Sequence, residues 1–452
     1  MKLTKLSLAA ALILGGFVCA NGADTFAEAF TNGKLKAALK ATYADKTDEG
    51  NKYQNENVLG VGFDLGYYTD PFYGLSLGIG AQGFGVISST DDAKFMSNIE
   101  YYTNGVVFSE AYINYALGKT NFRYGRQYID MPLVGANPSR AFKEAFEGIT
   151  LSVKDVPETE FSGAWIYKYQ GRTSNVNTFD NNHAPVFKNR IVLGGYGPAV
   201  GHEFDNVFTL NAITKAIKGL KLTGSWATVT NLSQNAFNAP SAGKDGDANL
   251  YFIETAYTIP FETFKVGLNL GFKGSNLTGD LDAQNYDGSL FETMFSIKDF
   301  YGFGFTYAYS NVLTGDDGVV LAVGLKPGTY TSMPIAGPFE YTGLAGMDAH
   351  KFGISYDFGQ VGAKGLKAEV DYTFANQDAP SVNAGKTKAG TYKEIDGWGG
   401  TISYNVPQVK GLNASINYVN LDTDNYTKKD GFKNSTNREE LWVKFVYKFD
   451  IL

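Results

Sequence analysis

The stretch 59–67 reads Leu-Gly-Val-Gly-Phe-Asp-Leu-Gly-Tyr. Leu59, Val61, Phe63, Leu65 and Tyr67 alternate with Gly60, Gly62, Asp64 and Gly66, so the apolar set returns at every second residue. In an extended strand two such sets point to opposite faces of a sheet, whereas a helix needs a period of 3.6. The rule recurs on both sides. Leu35, Ala37, Leu39, Ala41 and Tyr43 alternate with Lys34, Lys36, Lys40 and Thr42, and Phe264, Val266, Leu268, Leu270 and Phe272 repeat it far downstream. The opposite set is small, hydroxylic or charged, as in Lys367, Glu369, Asp371 and Thr373. The period is 2 over most of the chain, and the predicted class is all-β.

The turns come in two kinds that alternate. Eight short ones lie at 68–74, 117–121, 155–160, 215–220, 259–264, 298–302, 359–366 and 406–412. Between them run nine long polar segments, near 44–56, 87–105, 126–147, 171–203, 231–248, 274–288, 311–347, 376–393 and 422–437. Eight hairpins supply sixteen strands, and 34–43 and 438–451 bring the count to eighteen. Short turns at one end and long loops at the other predict a closed antiparallel transmembrane β-barrel of about 18 strands, one domain over 24–452. Soluble sandwiches and propellers also alternate, but their solvent face is larger and more charged. Aromatics crowd strand ends instead, at Tyr67 with Tyr68, Tyr101 with Tyr102, Tyr167 with Tyr169, Tyr307 with Tyr309, and Trp442 with Phe445. That distribution fits interfacial girdles. The last strand alternates Leu441, Val443, Phe445, Tyr447, Phe449 and Ile451 against Lys444, Lys448 and Asp450.

Composition narrows the function. The 452 residues include 53 Gly, 29 Tyr, 33 Phe and a single Cys, with a formal charge of −7. Lys2, Lys5 and the apolar run 6–18 form a secretory leader, with cleavage expected after Ala20 or Ala23. Losing both lysines takes the charge to −9, the wrong sign for a nucleic-acid partner. Cys19 leaves with the leader, so the mature chain has no disulfide or thiol chemistry. The segment 24–33 is too short for a plug domain. His183, His202 and His350 have no second ligand at metal spacing and read as solvated, so neither a metal nor a cofactor is expected. Gly78-Ile-Gly-Ala-Gln-Gly83 has dinucleotide-binding spacing but lies inside a strand with no helix after it.

The stretch 124–148, YGRQYIDMPLVGANPSRAFKEAFEG, breaks the strand pattern. Pro132 and Pro138 remove backbone donors, and the chain's six arginines concentrate here, with Arg123, Arg126, Arg140 and Arg172 in or beside it. Asp130, Lys143, Glu144 and Glu147 add further charge. A charged irregular loop inside a regular chain is a functional candidate. With Phe122 and Tyr124 facing lipid, Arg123 faces inward; Arg126 then faces lipid unless the strand bulges or ends at Gly125. The same count turns Glu110, Tyr112, Asn114, Lys154 and Lys168 inward.

Gly125-Arg126-Gln127, Pro132, Arg140 and Phe146-Glu147-Gly148 resemble the OprD-type outer-membrane porins and the related eighteen-stranded major porins. Ser109-Glu110-Ala111-Tyr112 upstream, Arg172 downstream and the start Ala23-Asp-Thr-Phe-Ala-Glu-Ala-Phe30 resemble them too. The resemblance implies a passive channel in the bacterial outer membrane. Its third loop folds into the lumen, and wall basic residues oppose loop acids. We therefore expect 126–147 to set the narrowest point, with Arg123, Arg126 and Arg140 on its basic side and Asp130, Glu144 and Glu147 on its acidic side. The expected partners are membrane lipid and small hydrophilic solutes, with zwitterions or carboxylates favoured; monomer and homotrimer both stay open. Two alternatives are a phospholipase-like barrel enzyme, which needs a Ser–His pair at the lipid face, and a structural or adhesive barrel.

Overall fold

The computed structural model describes residues 22–50, 54–93, 101–172, 183–196, 201–234, 245–313, 317–326, 328–335, 342–377, 392–425 and 435–452. Nearly all of the expected leader, with Cys19, lies outside them. Among the described residues eighteen strands make one sheet. They are β1 Lys34–Asp48, β2 Asn55–Tyr68, β3 Leu75–Ser89, β4 Gly105–Leu117, β5 Thr120–Gln127 and β6 Ala145–Val153. Next come β7 Thr159–Gln170, β8 Asn206–Thr214, β9 Leu220–Ser233, β10 Asp245–Pro260, β11 Lys265–Leu277 and β12 Ser289–Phe300. The last are β13 Phe303–Val312, β14 Met347–Asp357, β15 Leu366–Gln377, β16 Tyr392–Asn405, β17 Leu412–Asn425 and β18 Ser435–Asp450. Each pairs antiparallel with the next, and β18 returns to β1, from Lys36 opposite Asp450 to Asp48 opposite Arg438. The sheet is a closed barrel.

All eight short turns stand where the sequence puts them. The strands run further than expected at the other end. Residues 44–48 were read as loop, yet 44–47 pair with both β2 and β18, and Asp48 with β18. Polar alternation above the apolar belt still forms a ladder, because the backbone and not the side chain makes the hydrogen bonds. The barrel strand expected from Glu203 begins at Asn206 instead, and His202–Glu203 pair with Arg190–Ile191.

The apolar set of each strand lies on the outer surface. Leu39 is 53% exposed, Ile253 63% and Ile354 45%. A band of this kind encircling a water-soluble protein would be an aggregation site; against acyl chains it is the solvated face. Both ends of the described chain lie at the short-turn end. There Ile451 N donates to Leu35 O at 2.7 Å, and helix α1, Phe26–Thr31, opens with a reciprocal Thr25–Glu28 capping box.

The inside is not hollow throughout. Inward wall residues such as Ile166, Val207, Val229 and Leu250 pack with Leu133, Val134, Val192 and Phe204 from loops. A second apolar cluster joins Tyr101, Phe142, Leu321 and Met333 to Ala44, Val58, Phe84 and Trp442 of the wall. Loops therefore fill much of a lumen that about 18 strands leave open.

The parity has a direct test on β11. Leu268 faces outward and Asn269 inward. Leu268→Arg should cost about 2–4 kcal/mol near the bilayer midplane, and Asn269→Arg far less. Equal loss of folding stability in lipid vesicles would contradict the assigned faces.

Candidate constriction site

Residues 128–144 leave the wall between β5 and β6 and turn into the lumen. A tight hairpin begins the loop, with Met131 N on Val134 O and Ala136 N on Ile129 O, both at 2.8 Å. A second loop, from Gly318 onward, lies against it. Val323 N donates to Leu133 O at 2.8 Å, and Lys326 Nζ pairs with Asp130 at 2.5 Å. Glu144, fully buried, joins the two loops. Its carboxylate accepts from Asn137 N at 2.8 Å, from Leu325 N at 3.1 Å and from the Tyr169 hydroxyl. Burial raises the Glu144 carboxyl above its usual range, while the Tyr169 hydroxyl and the charge of buried Arg172 pull the other way.

The far ends of both loops are seated on the wall. Arg140 is 4% exposed, and its guanidinium lies 4.2 Å from the centre of the Trp442 ring. Lys444 stands over the same ring at 4.2 Å and donates to Ser139 O at 3.0 Å. The Tyr101 hydroxyl donates to Ser139 O at 2.6 Å. On the other side, Tyr330 O–H donates to Glu254 at 2.5 Å, Tyr330 N to Glu292 at 3.0 Å, and Lys351 to Ser332 O at 2.9 Å. The two loops thus reach walls on opposite sides of the lumen.

Below the first loop, inward residues of β1 to β5 make a charged, tyrosine-rich wall. Lys40 pairs with Asp64 at 2.7 Å, and the Tyr68 hydroxyl donates to Glu110 at 2.6 Å. The Arg123 guanidinium stacks 4.0 Å from the centre of the Tyr112 ring. Lys143 completes the group from the loop. Its ammonium is 4.1 Å from the Tyr128 ring centre, and Gln82 clamps its backbone with bonds of 2.7 and 2.9 Å. Burial lowers the Lys143 ammonium below the ordinary lysine range, against the attraction of Glu110, Asp130 and Asp64.

Glu110, Arg123 and Lys143 therefore come together, and Asp130 stands on the loop beside them, its side chain 88% exposed. Lys40, Asp64, Tyr68, Tyr128 and Lys326 were missed as site residues. Lys40 and Asp64 carried a signal, since both sit in the inward set of their strands. Arg140, Glu144 and Arg172 are buried in loop packing and do not line a passage. Lys154 lies one residue beyond β6, paired with Glu160 at 3.2 Å on the short-turn rim.

Arg126, Glu147 and Lys168 require a larger correction. Gly125 takes a φ of +125°, yet the register stays unbroken, with Ala111 opposite Arg126 and Arg126 opposite Glu147. Arg126 keeps the outward parity of Phe122 and Tyr124. An irregularity between Glu147 and Gly148 sets Lys168 opposite Glu147 and turns it outward as well, against the inward count made from β7 alone. Two of the three histidines also differ from the solvated reading, while His183 is exposed as expected. His202 is buried, with Nδ1 3.0 Å from Ser233 O, and His350 lies on the outer face between Tyr307 and Asp348.

A family model for the OprD family of outer membrane porins matches residues 55–449. The chain belongs to the OprD family. Solved porins share its architecture at low identity. OccAB3 of Acinetobacter baumannii is 14% identical with a TM-score of 0.73, covering 93% of this chain and 100% of its own. OccAB2 of the same organism is 16% identical at 0.72, covering 94% and 100%. OpdQ of Pseudomonas aeruginosa is 16% identical at 0.68, with the same coverage. A search of curated proteins found no match. This OprD-family chain is an outer-membrane channel for small solutes, not an enzyme. The phospholipase-like alternative falls with that; the hydroxyl facing His350 belongs to Tyr307, not to a serine.

The clasp between the loops gives a prediction. Glu144→Ala strands two buried backbone donors, at about 1–3 kcal/mol each. The expected outcome is a lower unfolding temperature together with a larger, noisier single-channel current. A variant that keeps the parent's conductance and melting would show that Glu144 does not hold the loops.

Proposed function

We propose that the selective passage of this porin runs between the inward wall of β1 to β5 and the loop 128–144, and that it favours small solutes carrying a carboxylate, zwitterions above all. The observation that carries this reading is the convergence of Glu110, Arg123 and Lys143 with Lys40, Asp64 and three tyrosines. Arg123 offers a planar fork that suits both oxygens of a carboxylate, and Lys143 a compact second cation. Glu110, Asp64 and Asp130 stand close enough to receive a positive group on the same solute. Charges of both signs in a narrow lumen sort solutes by dipole as well as by net charge. The acidity of the chain, −7 in formal charge, gathers cations at the mouth, so net ion selectivity is weak. Passage needs no energy source on this reading, since the lining only lowers a diffusion barrier.

Planar-bilayer recordings in a salt gradient test the assignment. Arg123→Ala with Lys143→Ala should move the reversal potential toward cations, and Glu110→Gln should move it toward anions. Reversal potentials that stay with the parent in both variants would put the passage elsewhere.

The pH dependence follows from Lys143. Its ammonium titrates below the usual lysine range, so it loses its charge at a lower pH than an ordinary lysine as pH rises from neutrality. Anion permeability should fall over that interval. Lys143→Arg keeps the charge and should flatten the change; an unaltered profile in that variant would assign the titration to another group.

A further inference from the structure

We propose that the outward trio Arg126, Glu147 and Lys168 binds the phosphate of a lipid headgroup in the leaflet at the long-loop end. Arg126 Nε lies 3.0 Å and Lys168 Nζ 3.3 Å from the two oxygens of Glu147. Two cations share one carboxylate, so the trio keeps a net positive charge. Arg126 is 38% and Lys168 44% exposed, while Glu147 is 15% exposed. Glu147 thus serves as the brace beneath two cations that remain open to the outside.

The position on the wall points to a headgroup. Charges facing the hydrocarbon core are costly, and aromatic girdles mark its boundary. Just below the trio the outward set reads Tyr124, Trp165 and Tyr167, with the Tyr124 and Tyr167 hydroxyls 3.5 Å apart and Trp165 Nε1 donating to Asn206 at 2.7 Å. β5 ends one residue above Arg126, and β6 begins two residues before Glu147. Aromatic, then charged, then the rim of the wall is the order of a bilayer surface. Outward apolar residues beside the trio, Phe108 at 56% and Ile113 at 50% exposure, offer a seat for acyl chains.

The sign of the charge selects the partner. Elsewhere at the long-loop end, acids accompany the outward girdle, as Asp45 beside Tyr43 and Asp348 beside Tyr309. Arg126 is also held in place from above. Phe187 stacks on its guanidinium at 4.5 Å, in a segment tied down by Thr103 on His183 O at 2.9 Å and by Lys188 N on Tyr169 O at 3.1 Å. A fixed guanidinium and a nearby ammonium are the donors that a phosphate oxygen takes in short, charge-assisted bonds.

Native mass spectrometry of the detergent-purified full chain tests this, with bis-phosphorylated lipid A, its dephosphorylated form and inorganic phosphate as probes. The parent should retain the phosphorylated lipid over the dephosphorylated one. Arg126→Gln with Lys168→Gln should weaken that retention about a hundredfold, the order of tenfold for each of two lost charge-assisted contacts. Glu147→Gln removes the only negative charge of the trio and should strengthen it, a direction that a merely structural ion pair does not produce. Equal retention of the two lipids, or saturation by inorganic phosphate alone, overturns the lipid assignment. Loss of a multimeric mass in the double glutamine variant, with lipid retention unchanged, would assign this face to contact between copies of the chain.

Discussion

The whole structure depends on one seam. Lys36 to Asp48 of β1 pair with Asp450 to Arg438 of β18, and that pairing leaves the eighteen-stranded sheet without an open edge. In hydrocarbon an unpaired backbone group costs several kcal/mol, and no water is present to relieve it. Closure is therefore a condition of being in the membrane at all. It also fixes the size of the lumen, because strand number sets the diameter. Everything inside the barrel is a consequence of that space.

Two loops answer it. They pack apolar residues against inward positions that would otherwise face water; the first is tied to β18, far from its origin, and the second to β10, β12 and β14 around its own. Glu144, Arg140 and Arg172 show how charge behaves in that setting. Each is nearly inaccessible, so none is free to exchange contacts with a passing solute. A buried charge that loses its partner is strongly destabilising, which makes such residues anchors. Glu110, Arg123 and Lys143 sit differently. Arg123 and Lys143 are half-buried, and the more deeply set Glu110 bonds the Tyr68 hydroxyl beside them, so on the proposed reading this group can lend charge to a solute.

Arg123 and Arg126 illustrate the division between the two surfaces. They are three residues apart on one strand, an odd number, and they face opposite sides. The same side chain type is turned to the lumen at one position and to the outer face at the other. What distinguishes them is parity alone, kept intact through Gly125 by an unbroken register.

Much of this was legible in the sequence. The period of two, the eight short turns and the apolar face of β11 are local, and a side chain's face follows from counting along one strand. Glu110 and Arg123 could be turned inward by that count. The count failed at Lys168, where the irregularity beside Glu147 lies in the pairing of two strands and not in either one. It was silent on Arg140 and Glu144, because their partners come from remote chain: Leu325 is 181 residues from Glu144, and Lys326 is 196 from Asp130. Strand pattern is set by near neighbours and by the solvent on each face, so sequence alone determines it. Which loop charge is buried as an anchor and which lines the lumen is decided by contacts that exist only once the barrel has closed.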